Sequence, residues 1–145
     1  MAIFGAGSTW NGDEQKDKLF FPNEIFVIGW DYSQAEDLYG IIGSVKVGDI
    51  IYLKSKGPKS SKMTIKGIGI VTKPFIHYVL QNDQEPSVIA DGESLTIGMK
   101  WVKTDIFEIN ITEESGKLTS IRPSTFYEEF LPSVSNEIIN HLTRQ

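Results

Sequence analysis

The sequence predicts an α+β fold: a small curved β-barrel with short flanking helices and a C-terminal helix. Three features favour this fold. The middle of the chain is rich in Ile, Val, Phe, Tyr and Thr, turn-forming residues bound these stretches, and long helical patterns do not alternate with them. Such a pattern is typical of a curled sheet and not of a doubly wound α/β fold. At 145 residues, of which 40% are hydrophobic, the chain fits one domain, residues 1–145.

Four stretches carry the strand pattern. They are residues 24–30 (EIFVIGW), 49–55 (DIIYLKS), 63–73 (MTIKGIGIVTK) and 94–110 (SLTIGMKWVKTDIFEIN), the last predicted as one long strand. Between the first two, Ser33 is followed three residues later by Glu36, which matches a capping box. We therefore expect a short helix there.

The C-terminal part of the chain predicts helix. Ser133 or Ser135 can cap a helix whose apolar face carries Ile138, Ile139 and Leu142. The preceding stretch STFYEEFL, residues 124–131, is predicted to form a further helical turn. We expect residues 111–145 to be a C-terminal extension that packs on the barrel.

Composition excludes several classes of protein. The chain has no cysteine, and its two histidines, His77 and His141, lack ligand-like spacing, so we expect no metal and no cofactor. No apolar stretch approaches the roughly 20 residues that span a bilayer, and the first residues do not form a signal peptide. We therefore expect a cytoplasmic protein without a membrane partner. The net charge of −5 argues against tight, sequence-independent binding to nucleic acid.

The opening stretch FGAGSTWNG, residues 4–12, does not match a nucleotide-binding loop. A phosphate loop needs a Lys before its Ser or Thr, but Ser8 follows Gly7 directly. The dinucleotide fingerprint needs a third glycine where Trp10 stands. Ser8 also lacks the G-x-S-x-G setting of a catalytic serine. We therefore predict that the protein is not an enzyme and has no catalytic residues.

Aromatic and basic residues remain as candidates for binding. Trp10 and Trp30 border glycines and small polar residues, where a ring can stack on a planar ligand, whereas the strand around Trp101 favours a core position. A lysine-rich segment without acidic residues contains Lys54, Lys56, Lys59, Lys62 and Lys66. It is interpreted either as a solvated hairpin loop or as a surface that contacts phosphates.

Several motifs, taken in order, resemble a known family. They are IFGAGSTWNG, IFVIGWDYS leading to VKVGDIIYLKS, IKGIGIVTK and MKWVKTDIF. Their order and spacing resemble the EVE-like domains of the PUA-like superfamily, especially the N-terminal domains of McrB-type modification-dependent restriction proteins. The resemblance covers residues 3–107, and its landmarks are Gly29-Trp30-Asp31, Val47-Gly48-Asp49, and Gly67-Ile68-Gly69 with Val71. It implies a barrel-like sheet with flanking helices.

The resemblance also implies a pocket for a nucleobase, often modified and often flipped out of a duplex. On this chain the pocket would comprise Gly5, Gly7, Ser8, Thr9, Trp10, Trp30, Asp31 and Tyr32. The rings of Trp10, Trp30 and Tyr32 would stack on the base, and the two glycines would allow its close approach. The flanking phosphates would contact Lys54, Lys56, Lys59 and Lys62.

Three functions remain open at the level of sequence. The first is a reader of a modified base in nucleic acid, DNA in preference to RNA, acting in defence against or restriction of foreign DNA. Such a role would require a separate motor or nuclease subunit. The second is a sensor or sequestering protein for a free nucleotide-derived small molecule, and the third is a protein-interaction subunit.

Overall fold

The computed structural model describes residues 1–7, 9–10, 14–28, 36–55, 62–75, 95–110 and 126–144. The strands are β1 (Ile3–Gly7), β2 (Thr9–Trp10), β3 (Glu14–Gln15), β4 (Ile25–Ile28), β5 (Ile50–Ser55), β6 (Lys62–Lys73), β7 (Leu95–Lys103), β8 (Phe107–Asn110) and β9 (Phe126–Glu128). The helices are α1 (Asp17–Asn23), α2 (Glu36–Gly43) and α3 (Pro132–Thr143).

A mixed sheet of seven strands, curled into a half-barrel, organises the described part of the chain. Its strand order is β4-β7-β6-β5-β1-β9, with β8 paired to β6, while β2 and β3 form a separate antiparallel pair. Within the large sheet, β1 and β5 run parallel and the other neighbours run antiparallel. The α+β class and the curved sheet predicted from the sequence are therefore confirmed.

Both faces of the sheet are buried. Because alternate residues of a strand point to opposite faces, Ile51 and Leu53 of β5 join one apolar cluster, which also contains residues of α1 and α2. On the other face, Tyr52 joins a second cluster together with Val134 and Ile138 of α3. The predicted C-terminal helix and its apolar face are thus confirmed, although α3 begins at Pro132 with Leu131 as its N-cap, not at a serine.

The single strand predicted for residues 94–110 is divided in the structure. The chain forms β7 and β8, which pair with successive parts of β6, and residues 104–106 bend between them. On β6, a register shift between Ile68 and Gly69 accompanies the bend. Such irregularities bend a strand and increase its twist. Along the curled sheet, β6 is therefore paired with two strands, β7 and β8, and not with the one long strand that the sequence predicts.

The helical turn predicted for residues 124–131 is wrong over its described part. Phe126–Glu128 is β9, which pairs antiparallel with β1. Phe126 packs in the apolar cluster beneath α1 and α2, whereas Tyr127 contacts Tyr52 on the other face. This is the alternation of a strand. The chain from residue 126 onward therefore contributes a strand to the sheet as well as the packed helix α3.

Two short helices precede β5. The predicted helix near residue 36 is present as α2, while its predicted cap, Ser33, lies outside the described residues. Helix α1 is not predicted from the sequence, because it has seven residues and contains Pro22 near its end. It forms around the fully buried ring of Phe20, and Glu24, with a φ of 53°, ends it in the left-handed conformation.

The Val47-Gly48-Asp49 motif forms a turn that ties β1 to β5. Gly48 has a φ of +92°, which favours glycine, and the buried Asp49 follows it. One carboxylate oxygen of Asp49 accepts a hydrogen bond from the backbone N–H of Ala2, and the other from that of Lys46, each at 2.9 Å. The Lys46 ammonium lies 3.1 Å from the same carboxylate. The motif therefore has a structural role in this chain.

None of the helices within the described ranges has the length and apolarity that a membrane crossing requires.

Candidate functional site

Strand direction determines which predicted site residues meet. Because β1 and β5 run parallel, Gly7 lies opposite Lys54, and the antiparallel β6 begins nearby at Lys62. The glycine-containing stretch and both ends of the lysine-rich segment thus share one end of the sheet. We call this the lysine end, defined by Gly7, Lys54 and Lys62. This end of the sheet thus has one residue without a side chain, Gly7, near two lysines.

Gly5 lies in the middle of a row of three residues on neighbouring strands. Its partners in the ladder are Tyr52 on β5 and Tyr127 on β9. The two tyrosines lean over Gly5: a Cβ atom there would lie 2.6 Å from Cζ of Tyr127 and 2.7 Å from the hydroxyl of Tyr52. On this face, the close approach that Gly5 permits is that of the protein's own tyrosines.

The tyrosines belong to a buried hydrogen-bonded cluster, Tyr52, Tyr127 and Glu129. The Tyr52 hydroxyl donates to Oε1 of Glu129 at 2.5 Å and lies 2.9 Å from the Tyr127 hydroxyl. Because the Tyr52 proton is directed to Glu129, Tyr127 is the donor between the two hydroxyls. The other carboxylate oxygen of Glu129 accepts from the backbone N–H of Leu131 at 3.2 Å, where α3 begins.

Burial sets the ionisation of this cluster. Burial raises the pKa of Tyr52, and the neighbouring Tyr127 and Glu129 raise it further. Burial likewise raises the pKa of Tyr127. Both tyrosines are therefore neutral hydrogen-bonding groups and not bases. The hydrogen bonds of the cluster fix the positions of its three side chains relative to one another.

Lys54 lies two residues beyond Tyr52 on the same face of β5. It is only 7% exposed, and its ammonium is 4.9 Å from the centroid of the Tyr127 ring. This distance is typical of a cation–π contact. The predicted contact of Lys54 with phosphate remains a prediction, and burial restricts it to a ligand group that enters the lysine end.

Gly7 and Lys62 lie nearer to solvent than Lys54. The Lys62 side chain is 63% exposed, and its ammonium is 3.9 Å from a carboxylate oxygen of Glu108. At Gly7, no atom of the described residues lies within 4 Å of an added Cβ. For Thr9 and Trp10 the structure describes the backbone, as β2. Among the described residues, Gly7 therefore has open space on its Cβ side.

The remaining predicted site residues, Ser8, Trp30, Asp31, Tyr32, Lys56 and Lys59, lie outside the described part of the chain. The described strand nearest in sequence to Trp30 is β4. It pairs with β7 so that Ile28, its last residue, lies opposite Leu95, the first residue of β7. Because β7 runs in the same direction as β5, β4 ends at the end of the sheet opposite to the lysine end.

Trp101 is partly buried and packs against the apolar cluster beneath α1 and α2. Its indole N–H lies 3.1 Å from the backbone oxygens of both Phe20 and Ile25, and its ring packs edge to face on Phe21. The core position that the strand pattern favoured is therefore confirmed. The indole N–H is hydrogen-bonded to backbone oxygens, and through these contacts and the ring of Phe21, Trp101 holds α1 against β7.

Sequence reasoning missed the cluster of Tyr52, Tyr127 and Glu129. A signal was present, since Tyr127 and Glu129 are two residues apart, as are Tyr52 and Lys54, and in strands such residues share a face. The helical interpretation of residues 124–131 concealed that spacing. Among the residues that the structure describes, no group of three or more histidines and carboxylates could hold a metal.

Compared with protein-family models, the chain matches none, and a search of curated proteins likewise gives no match.

Proposed function

We propose that the protein is a nucleic-acid reader that holds a modified nucleobase of DNA in an aromatic pocket. The proposal includes an EVE-like fold of the PUA-like type and a cytoplasmic location. It also includes a role in defence against foreign DNA, with a separate motor or nuclease subunit as partner. Trp10 is the stacking residue nearest in sequence to the lysine end, and the proposed pocket there rests on it. Because β4 ends at Ile28 at the opposite end of the sheet, the contribution of Trp30, Asp31 and Tyr32 to the same pocket stays a prediction.

One observation carries the proposal: the pairing of Gly7 with Lys54 across β1 and β5. It brings the stretch leading to Trp10 and the lysine-rich segment to the same end of the sheet. A flipped base costs a few kcal/mol to extract, and stacking and hydrogen bonds must offset that cost. Lysines beside the stacking residue can hold the flanking phosphates, which fix the register of the strand.

The motifs of the resemblance support the fold more than the function. Asp49 holds the turn before β5, and at Gly69 an added Cβ would lie 2.8 Å from Met99 and from Trp101. Both positions are explained by packing and hydrogen bonding within this chain. Recognition of a base depends instead on the glycine-rich stretch and on the aromatic segment around Trp30.

The burial of Lys54 favours a second candidate, a sensor or sequestering protein for a free nucleotide. Lys54, a residue only 7% exposed, is better placed for a phosphate enclosed in a cavity than for the backbone of a long polymer. The net charge of −5 also disfavours a polyanion more than it disfavours a small ligand.

Tryptophan fluorescence distinguishes the two candidates. The intact chain is titrated with methylated cytosine and adenine nucleosides and nucleotides, and with single- and double-stranded oligonucleotides carrying the same bases. The matched control is the double variant Trp10→Phe/Trp30→Phe, whose only indole is the core residue Trp101. Quenching seen in the wild type and lost in this variant reports on the proposed pocket.

If the protein is a reader of a modified base, one modified base within an oligonucleotide should quench the fluorescence saturably, and added salt should weaken the binding. Trp10→Ala or Trp30→Ala should then lose about 1–3 kcal/mol of binding free energy in a folded protein. Quenching by a free nucleotide alone would favour the sensor. A protein that responds to no member of the panel would contradict both and favour an interaction subunit.

A further inference from the structure

A cleft of about 400 Å³ lies between the bend that follows β7 and the C-terminal turn of α3. Its lining includes Lys103, Asp105, His141 and Arg144. One water occupies about 30 Å³ in the liquid, so the cleft has room for a hydrated polyatomic ion. No residue of the predicted base pocket contributes to it.

The cleft collects positive charge from two elements. Lys103 comes from the end of β7 and Arg144 from the residue that follows α3. Both residues are of basic type, and Asp105 is the one carboxylate among the lining residues. Beside the lining, a carboxylate oxygen of Glu137 lies 3.9 Å from Nε2 of His141. The two cations therefore face one carboxylate within the cleft and one next to it, in a chain whose net charge is −5.

His141 is held in the cleft by ring stacking. Its ring centroid is 3.7 Å from that of Phe107, with an angle of 19° between the planes, and the ammonium of Lys103 lies 5.6 Å from the same Phe107 ring. Burial lowers the pKa of His141, and Lys103 and Arg144 lower it further, whereas Glu137 raises it. Both cations therefore act electrostatically on the imidazole.

We propose that this cleft binds a phosphate group, held by Lys103 and Arg144 against the imidazole of His141. Arg144 supplies a planar fork of donors that matches two phosphate oxygens, and Lys103 supplies a point charge. The imidazole adds an N–H donor, and on protonation it adds a third positive charge. The phosphate belongs either to a nucleic-acid strand or to a free nucleotide, and both offer the same oxygens.

The cleft lies on the same face of the sheet as Lys54. Phe107 and Lys54 are both paired with Ile65 of β6, on opposite sides of it. Two strand spacings separate them, about 10 Å. A strand bound at the lysine end would therefore have a second phosphate contact within a short distance. The site nevertheless stands independently of the base pocket, because its residues are different.

The histidine NMR signals test the site directly. The chain has two histidines, so His141→Gln assigns the imidazole resonances of His141. The wild-type chain is titrated with inorganic pyrophosphate and with an unmodified single-stranded DNA oligonucleotide, both at constant ionic strength. We expect a saturable shift of the His141 signals and a higher His141 pKa in the complex, because a bound anion stabilises the imidazolium.

Substitutions identify the groups responsible. Lys103→Gln/Arg144→Gln should weaken the binding roughly tenfold or more, since hydrogen bonds to charged groups are lost. The control Lys18→Gln/Lys73→Gln removes the same charge at two exposed positions outside the cleft and should leave the affinity unchanged. Asp105→Asn removes the carboxylate from the cleft and should tighten binding.

The two probes distinguish the sources of phosphate. Tighter binding of the oligonucleotide indicates a strand, and tighter binding of pyrophosphate indicates a free nucleotide; either supports the site. Shifts of His141 that do not saturate with either probe, or that respond equally to the cleft and control variants, would overturn the proposal. Tryptophan quenching is measured separately, so a failure of the base pocket would not be confused with a failure of this site.

Discussion

Gly5 is the residue on which the tyrosine cluster depends. Tyr52 and Tyr127 flank it in adjacent strands, and their hydroxyls meet above its backbone. A side chain at this position would occupy the space in which they meet. The glycine thus determines the position of Tyr127, whose ring lies beside the Lys54 ammonium.

Gly5→Ala should therefore destabilise the protein. The added methyl group would lie 2.6–2.7 Å from atoms of Tyr127 and Tyr52, and overpacking of this kind costs about 1–3 kcal/mol. Urea unfolding measures the change. The control is Gly40→Ala in α2, where no described atom lies within 4 Å and helix propensity predicts a gain of up to about 1 kcal/mol. Equal stabilities of Gly5→Ala and wild type would contradict the tyrosine contacts.

Asp49 should make the stability depend on pH in acid. Burial raises the pKa of Asp49, but the N–H groups of Ala2 and Lys46 and the Lys46 ammonium lower it more, so the net value is below 3.8. Folding therefore favours the carboxylate. The stabilisation is fully present above the ordinary pKa of 3.8 and is lost as the pH falls through the lower value of the folded protein.

The variant Asp49→Asn tests this dependence. The Asn side chain has a single oxygen, so it can replace only one of the two carboxylate acceptors, and it carries no charge. We therefore expect the free energy of unfolding to fall by about 1–3 kcal/mol at neutral pH. Unfolding free energies are compared from neutral pH down to about pH 3. The difference between wild type and variant should shrink as the pH falls. A difference independent of pH would show that the carboxylate charge is not what stabilises the turn.

Among the elements, β9 connects the C-terminal part of the chain to the core. Phe126 is buried and stacks on Phe4, with 5.1 Å between ring centroids. Four residues later Phe130 is 77% exposed. The two phenylalanines lie close together in the sequence but differ in burial. They therefore make a matched pair for measuring the contribution of β9 to the free energy of unfolding.

Phe126→Ala should cost about 3–5 kcal/mol, as is usual for a buried aromatic residue replaced by alanine. Phe130→Ala should change the unfolding free energy by less than about 0.5 kcal/mol, because the ring is mostly in solvent. Chemical denaturation of both variants measures these values. Similar costs for the two substitutions would mean that β9 is not an integral strand of the sheet.

The elements also show how far the sequence predicts the fold. β5 and β6 follow from alternating apolar residues, and α3 follows from its apolar face. The sequence predicts a helical turn where β9 forms, and the pairing with β1 that determines the strand conformation is a tertiary contact. The curl that separates β7 from β8 likewise depends on the whole sheet.

For the site, the sequence indicates the residue types but not their neighbours. The glycines and lysines were identified from local pattern, whereas the parallel pairing that sets Gly7 against Lys54 is a property of topology. The cleft at Lys103 and Arg144 joins residues 41 positions apart, as their numbers show. Contacts over such separations leave no local pattern in a single sequence.

At the scale of the whole molecule, the proposed function depends on a difference between the two ends of the sheet. One end gathers Gly7, Lys54 and Lys62, and the other holds the Asp49 turn. A base reader at the lysine end should bind nucleic acid there and with marked salt dependence. The location of the bound ligand therefore tests the proposal more directly than affinity alone.

Amide chemical-shift mapping provides this measurement. The ¹⁵N-labelled chain is titrated with the modified-base oligonucleotide that gives the strongest tryptophan quenching, and with its unmodified counterpart at equal concentration. We predict that the modified oligonucleotide shifts the amides of Gly5, Gly7, Trp10 and Lys54 and leaves those of Lys46 and Lys73 unchanged. Shifts confined to the Asp49 end, or equal shifts with and without the modification, would contradict a base reader at the lysine end.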